Sequence, residues 1–293
     1  MKIIDKDNKY FPPRLREIKE CPLFLYTEGN LDLLTNNSIA IIGSRNASEK
    51  GKKIAEKFSK NLSQVGLTIV SGLALGIDTV AHSFSYNEQG KTIAVLGGGF
   101  NKIFPPENEE LYNKILENDG LVISEYSPDT EYDSSYFPLR NRIISGLSLR
   151  IFVVEAKHRS GTSITAKYAR EQNRPVFALP HEIDDPHGKG TNRLLKKGGH
   201  VVTDPIDILE YLNLNRLKTT YLKLEDCKNT YKKDLSFSDP KQAKIFKLIT
   251  EKPTSPNDLA KKTGYSINKV QSILFILEID GYIKKVPGGY ICM

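Results

Sequence analysis

The chain has 293 residues, 39% hydrophobic and 26% charged, with 42 Lys and Arg against 35 Asp and Glu and a net charge of +7. That length exceeds one usual domain, and the composition is that of a soluble globular protein rather than a fibre or a disordered tail. No apolar run approaches the ~18 residues that span a bilayer, and the start, Met1-Lys2-Ile3-Ile4-Asp5, has no apolar signal core. Cys21, Cys227 and Cys292 are odd in number and far apart, which excludes a disulfide framework and any paired-cysteine zinc motif. A cytoplasmic protein without a metal or cofactor is expected. The charge is unevenly placed: residues 1–215 hold 27 groups of each sign, whereas residues 216–293 hold 15 basic against 8 acidic. A basic excess fits nucleic acid or a merely solvated surface, and alone it selects neither.

In chain order, residues 1–37 are too few for an independent domain and are expected to pack on the core. From residue 38 short apolar runs at 38–42, 67–71, 92–96, 121–124, 150–154, 175–179 and 200–202 read as strands buried on both faces. Amphipathic stretches lie between them, such as 52–65 with Ile54, Ala55, Phe58 and Leu62 on one stripe, and 162–172. The repeated alternation predicts an α/β, Rossmann-like domain over 38–213, with a doubly wound, mostly parallel sheet. Residues 214–238 are polar and Lys-rich and read as a linker. Residues 239–293 give three helices, with Val270, Ile273, Leu274 and Leu277 inward on the third, then two short strands around Pro287-Gly288-Gly289. That order is the winged form of the helix-turn-helix.

In a doubly wound sheet ligands sit beyond the carboxyl ends of the strands, so the turns there are the candidates. The first strand runs into Gly43-Ser44-Arg45-Asn46-Ala47-Ser48 and a helix: small residues, free N–H groups and an arginine able to fork onto a phosphate. An ordinary tight turn with Arg45 in a surface ion pair is the alternative. Neither G-x-G-x-x-G nor the acid that would hold a ribose is present, and Walker A fails because Gly190 follows Lys189. A second loop, Lys157 with Arg159-Ser160-Gly161-Thr162-Ser163, offers a second phosphate cradle, with Glu155 nearby to orient an arginine or to serve structure. Phe137-Pro138-Leu139-Arg140-Asn141-Arg142, leading into a small apolar helix at 143–147, suits a backbone clamp beside a base-stacking ring. Its alternative makes Phe137 core and both arginines structural ion pairs. Asp78 and His82, four apart on a helix, could form an acid–base pair or hold a loop. Gly97-Gly98-Gly99 permits close approach of a ligand or of another loop.

Together these segments resemble the DprA/Smf family of DNA-processing proteins. The resemblance runs from residues 10–29 through Ile41-Ile42-Gly43-Ser44-Arg45, residues 71–78, residues 93–99 and Ser124-Glu125-Tyr126. It continues through residues 137–146, Glu155 and Ser160-Gly161-Thr162, and ends in the winged module. It implies a non-enzymatic, cytoplasmic homodimer that binds single-stranded DNA, protects it in natural transformation and helps load the RecA recombinase. By that similarity Gly43, Ser44 and Arg45 are phosphate contacts, Phe137, Arg140 and Arg142 lie at the strand-binding groove, and Lys157, Ser160 and Gly161 form the second phosphate loop. Two departures from the family pattern are Pro180-His181 and residues 188–192, where Lys189 could add a DNA contact or be solvated. In the winged module Ser266, Asn268, Lys269 and Gln271 would face outward on the recognition helix, which also carries Glu278 and Asp280, with Lys284 and Lys285 on the wing. Duplex or strand binding there competes with protein contact. Two rivals remain: a phosphoribohydrolase-like nucleotide-processing enzyme on a related sheet, and a transcription factor acting through the winged module.

Overall fold

Every residue of Ser38–Ile42, Thr68–Ser71, Thr92–Val95 and Leu121–Ser124 is buried, a pattern that only a sheet covered on both faces allows. The computed structural model describes residues 1–157, 160–232, 239–249, 253–279 and 282–292. Its elements are β1 (Lys2–Asp5), α1 (Pro13–Arg16), β2 (Phe24–Gly29), β3 (Ser38–Ile42), α2 (Glu49–Gln64), β4 (Thr68–Ser71), α3 (Ile77–Ser83), β5 (Thr92–Val95) and α4 (Glu109–Glu117). The series continues with β6 (Leu121–Ser124), α5 (Tyr136–Leu147), β7 (Arg150–Val153), α6 (Gly161–Glu171), β8 (Val176–Ala178), α7 (Lys189–Lys196), β9 (His200–Val201), α8 (Pro205–Tyr211) and α9 (Asn215–Lys232).

The nine strands form one sheet in the order β1-β2-β6-β5-β4-β3-β7-β8-β9. From β6 to β9 all neighbours are parallel, while β2 pairs antiparallel with both β1 and β6. Alternate strand residues cover the two faces: Ala40 and Ile42 join Ile143, Ile144 and Ala166 of α5 and α6, while Ala94 and Val122 join Leu111 and Ile115 of α4. On β7, Phe152 meets Phe58 of α2 with ring centroids 4.5 Å apart. The α/β doubly wound reading therefore holds, and the chain leaves β3 in both directions across the sheet, to β4 on one side and, later, to β7 on the other.

Two sequence expectations change. Residues 1–37 supply β1 and β2, an antiparallel margin invisible to a search for fully buried strands because β2 alternates in exposure and Ile4 alone of β1 is buried. Residues 214–238, read as a linker, carry α9 from Asn215 to Lys232. No Gly or Pro interrupts that run, so nothing in it breaks a helix. Residues 233–238 lie outside the described residues.

The chain divides into two compact units, Met1–Tyr221 and Leu222–Met293. The second contains α10 (Pro240–Phe246), α11 (Pro256–Thr263), α12 (Ile267–Ile279), β10 (Ile283–Val286) and β11 (Gly289–Cys292) around Ile245, Leu259, Val270, Ile273, Leu274, Leu277 and Ile283. Gly264 ends α11 at φ +76°, the left-handed cap position that favours glycine, and Tyr290 of β11 pairs with Thr254. This is a winged helix-turn-helix. Among the described residues no helix is long and apolar enough to cross a membrane.

Because Phe58 is buried between α2 and the sheet, Phe58→Ala should cost about 3–5 kcal/mol. Urea unfolding checks this as a lower midpoint with an unchanged denaturant slope.

Candidate nucleic-acid interface

Where the chain departs from β3 towards β4 and later returns beside it as β7, the turns after β3 and β7 diverge and leave a crevice. A groove of about 570 Å³ lies there, and Gly43, Ser44, Arg45, Phe137, Arg140, Lys157, Ser160 and Gly161 all line it. Eight of the nine residues singled out from sequence thus converge, drawn from three separate stretches. Arg159 lies outside the described residues.

The turn after β3 is shaped from within. The Ser44 hydroxyl donates to the Asn46 carbonyl at 3.0 Å, and the Ile77 N–H donates to the Ser44 carbonyl at 3.2 Å. Gly43 is small because α3 presses on it: an added Cβ would stand 2.5 Å from Ile77 Cγ1. Arg45 is exposed and its guanidinium stands 5.4 Å from the centre of the Phe137 ring, inside cation–π range.

The two helix ends facing the groove differ in electrostatics. Each helix N-terminus carries unpaired N–H groups and a positive dipole end. At α2 some of these are already engaged: Ser48 caps Gly51 N at 2.9 Å, and the buried Glu155 carboxylate accepts from the Ser48 hydroxyl and from Ser48 N at 3.0 Å. Glu155 therefore serves structure, holding the N-cap of α2, and that helix end is partly engaged from within the protein. At α6 the N-cap Ser160 makes no side-chain cap bond, its hydroxyl oxygen is buried without a partner, and an added Cβ at Gly161 would meet open space. Thr162 donates to the Gly43 carbonyl at 3.3 Å and ties the two turns together. Exposed Lys157 lines the same groove. Of the two helix ends, that of α6 is the one left open to an anion.

Arg140 and Arg142 do not act as a pair. The sequence suggested an irregular clamp followed by a helix from 143, whereas α5 already begins at Tyr136. Two residues apart on a helix point about 200° apart, so both cannot face one groove. Arg140 faces the floor, 4% exposed, with Nη1 donating to the carbonyls of Gly72 (2.5 Å) and Val95. Burial pushes its guanidinium down to about 10, countered by the Asp78 charge, so it stays protonated at neutral pH. Arg142 points away and donates to both Glu125 oxygens at 2.7 and 2.8 Å, with Glu20 at 3.8 Å. Arg142 belongs to an ion-pair cluster outside the groove.

Asp78 and His82 form no acid–base pair. The Asp78 carboxylate accepts from Gly72 N at 3.1 Å, and His82 Nε2 accepts from Leu73 N at 3.3 Å. With Nε2 accepting, Nδ1 carries the proton and faces Thr92 Oγ1 at 2.7 Å, which donates onward to Ile69 O. Together with Arg140 on the Gly72 carbonyl, these groups lock residues 71–76, where Leu73 holds φ +55°. Burial pushes the Asp78 carboxyl up, against Arg140 and its hydrogen bonds, and pushes His82 down to about 3.

Phe104 and Tyr132 line the groove and were missed in the sequence. Phe104 follows a Lys-Ile pair and precedes two prolines, and Tyr132 lies in an acidic stretch. Neither stands at a strand end, and the prolines after Phe104 were the only available cue. Gly97 and Gly98 serve protein packing: added Cβ atoms would stand 2.7 Å from the Phe137 ring and 3.3 Å from Tyr132 Cα. In the other unit Asn268, Lys269, Gln271 and Ser272 are exposed on α12, but so are Phe275, Ile276 and Ile279. Asp280 is outside the described residues. Lys189 is exposed and does not line the groove. Among the described residues no cluster of His, Cys, Asp or Glu could hold a metal ion.

The family model of DNA recombination-mediator protein A matches residues 2–213, and that of the DprA winged helix domain matches residues 233–289. Protein Smf of Escherichia coli is 37% identical over 289 residues, 99% of this chain and 76% of its own length. The solved structure of DNA processing protein A from Streptococcus pneumoniae superposes with a TM-score of 0.68 at 42% identity, covering 71% of this chain and 73% of that one. That of DNA processing protein A from Helicobacter pylori, described for its single-stranded DNA binding mode, gives 0.66 at 28% identity, covering 73% and 97%.

The buried histidine sets an acid limit on the fold. An unfolded His82 takes a proton below about 6.5 and the folded one only near 3, so stability is complete above 6.5 and falls as pH drops. The expected loss is about 2 kcal/mol between pH 6.5 and 5. Asp78 acts in the opposite sense, because its folded carboxyl protonates above its unfolded value. Urea unfolding of wild type and His82→Gln at the two pH values isolates the histidine, and the variant should lose most of this slope.

Proposed function

The chain belongs to the DprA/Smf family of DNA-processing proteins, and from this membership and the groove at the β3/β7 crevice we propose that it binds single-stranded DNA there. The observation that carries the proposal is the open N-terminus of α6, with its unpartnered Ser160 hydroxyl, placed across one groove from exposed Arg45 and the Phe137 ring. A phosphate fits the α6 end with Lys157 beside it, the next phosphate fits Arg45, and a base fits against Phe137. Such contacts recognise backbone and ring faces, so little sequence preference is expected. The groove offers a binding surface without an evident nucleophile: the Asp78–His82 route to acid–base chemistry is consumed in loop hydrogen bonds, which disfavours a nucleotide-processing enzyme. Incubation with nucleoside monophosphates and assay of free base tests that rival directly. On family similarity we extend the proposal to a cytoplasmic homodimer that protects incoming strands and assists RecA loading in natural transformation and recombination.

The winged module is the second place where nucleic acid could bind. Its exposed polar residues at the start of α12 and the wing lysines Lys284 and Lys285 favour a phosphate contact, while exposed Phe275 and Ile279 favour a protein partner.

Arg45→Ala should weaken single-strand binding roughly 10- to 100-fold, the loss of one charged contact, and flatten the dependence of log affinity on log salt by about 0.7. Arg142→Ala should leave that slope unchanged while lowering the melting temperature, because Glu125 loses its partner. Anisotropy titrations at two salt concentrations read both, and an Arg45 variant with wild-type affinity would reduce residues 43–45 to a turn. In competition, the full chain and residues 1–221 should both prefer single strands to duplex. Failure of residues 1–221 to bind would move the binding element into the second unit.

A further inference from the structure

We propose that Phe104 and Tyr132 continue the stacking surface of Phe137, so that the groove holds a second base against Tyr132. The inference rests on the reading of the groove as a single-strand site and names a base position within it. The three rings are contiguous. Tyr132 lies on Phe104 with centroids 4.1 Å apart and planes 25° apart, and Phe104 stands 5.5 Å from Phe137 at 40°. All three line the groove with Arg45. Tyr132 nevertheless keeps 43% of its surface exposed, with Phe104 stacked on the ring and the Lys102 ammonium 5.9 Å from its centre.

The shelf is built before any ligand arrives. Gly99 N donates to the Thr130 carbonyl at 2.9 Å and Asn101 N to the Pro128 carbonyl at 3.0 Å, which ties the loop bearing Tyr132 to the glycine-rich turn after β5. Gly98 gives that loop its room, since a Cβ there would stand 3.3 Å from Tyr132 Cα and 3.4 Å from its Cβ. A preorganised ring loses little freedom when a base stacks on it.

The charge around Tyr132 decides which part of a nucleotide can sit there. Asp129, Glu131 and Asp133 are exposed on the same loop, and the nearby Lys102 stands 3.9 Å from Glu131 and 5.9 Å from the Tyr132 ring centre. A phosphate would meet these acids at close range. A base carries no charge and does not. The strand therefore keeps its backbone on the side of Arg45, Lys157 and the α6 end and turns a base onto the shelf. Stacking on Tyr132 displaces no counterions, so it adds affinity without adding salt dependence.

The test is a set of titrations of the full-length protein with oligothymidylates of graded length, intact or bearing one abasic site, at two salt concentrations. Tyr132→Ala should weaken binding of intact strands about 5- to 100-fold, the range for one stacked base, with an unchanged salt slope. Tyr132→Phe should bind as wild type, which separates stacking from any role of the hydroxyl. One abasic position should weaken wild type and leave Tyr132→Ala indifferent, because the same contact is then removed from either side. Tyr132→Ala binding every strand as wild type does, while Arg45→Ala is weakened, would overturn the inference and leave the groove reading intact. A changed salt slope in Tyr132→Ala would overturn it too, by showing an electrostatic effect. Arg45→Ala and Tyr132→Ala both at wild-type affinity would instead overturn the groove reading, and the base position with it.

Discussion

The groove depends on one buried cation. Arg140 brings a guanidinium into the floor of the crevice, where it bridges the carbonyl ends of two adjacent strands through Gly72 and Val95. Removing that charge from water is costly, and its bonding partners are two backbone oxygens and the Asn141 side-chain oxygen at 3.2 Å, with the Asp78 carboxylate acting on it through space. The benefit is positional. With α5 fixed to the ends of β4 and β5, Phe137, nearly one turn earlier on the same helix, lands against Gly97 and under Arg45. The Gly72 carbonyl held by Arg140, the Gly72 N–H held by Asp78 and the Leu73 N–H held by His82 leave residues 71–76 little freedom. Charged residues that could suggest catalysis are spent on holding backbone in place.

The glycines follow the same logic. Gly43, Gly97 and Gly98 are small because Ile77, Phe137 and the Tyr132 loop occupy the space a side chain would need. Only Gly161 faces open space at the site, and it stands at the helix end whose cap is unfilled. Of two strand–helix turns that look equally suited to phosphate in the sequence, the first has its helix end partly engaged by Glu155, and the second remains available.

The parallel strands from β3 to β8 were legible in the sequence, because strands buried on both faces announce themselves as apolar runs; the short margin strand β9, with Val201 exposed, was read from its Val-Val pair alone, and the winged unit was legible through its helical stripe and Pro-Gly-Gly turn. The antiparallel margin was not, because half of β1 and β2 faces solvent. At the site, sequence position after a strand picked out Gly43, Ser44, Arg45, Lys157, Ser160 and Gly161, which the fold sets along one groove. It misjudged Arg142 because the helix start at Tyr136 was hidden by Pro138. Proline is tolerated in the first turn of a helix, but in sequence it reads as a boundary. With α5 shifted, a two-residue spacing that suits a loop clamp became two opposite helix faces. Phe104 and Tyr132 were beyond reach, since only the tertiary fold brings those segments alongside Phe137.

The charge excess and the groove-lining residues lie in different stretches of the chain. Residues 1–215 balance their charges, so that stretch exerts little long-range pull on a polyanion, and the acids near Tyr132 lower the pull further on one side of the site. On the proposed function, binding there comes from contacts that begin within a few ångströms: a helix end, two or three cations and aromatic faces. The whole excess of +7 belongs to residues 216–293, where long-range attraction acts within about a Debye length, some 8 Å at physiological salt. On the proposed function the groove contacts act at short range, and the basic stretch at residues 216–293 adds an attraction that salt screens. A duplex holds its bases stacked in pairs and has no free face to offer Phe137. On the proposed function the groove would therefore discriminate by what it stacks, with net charge taking no part in that choice.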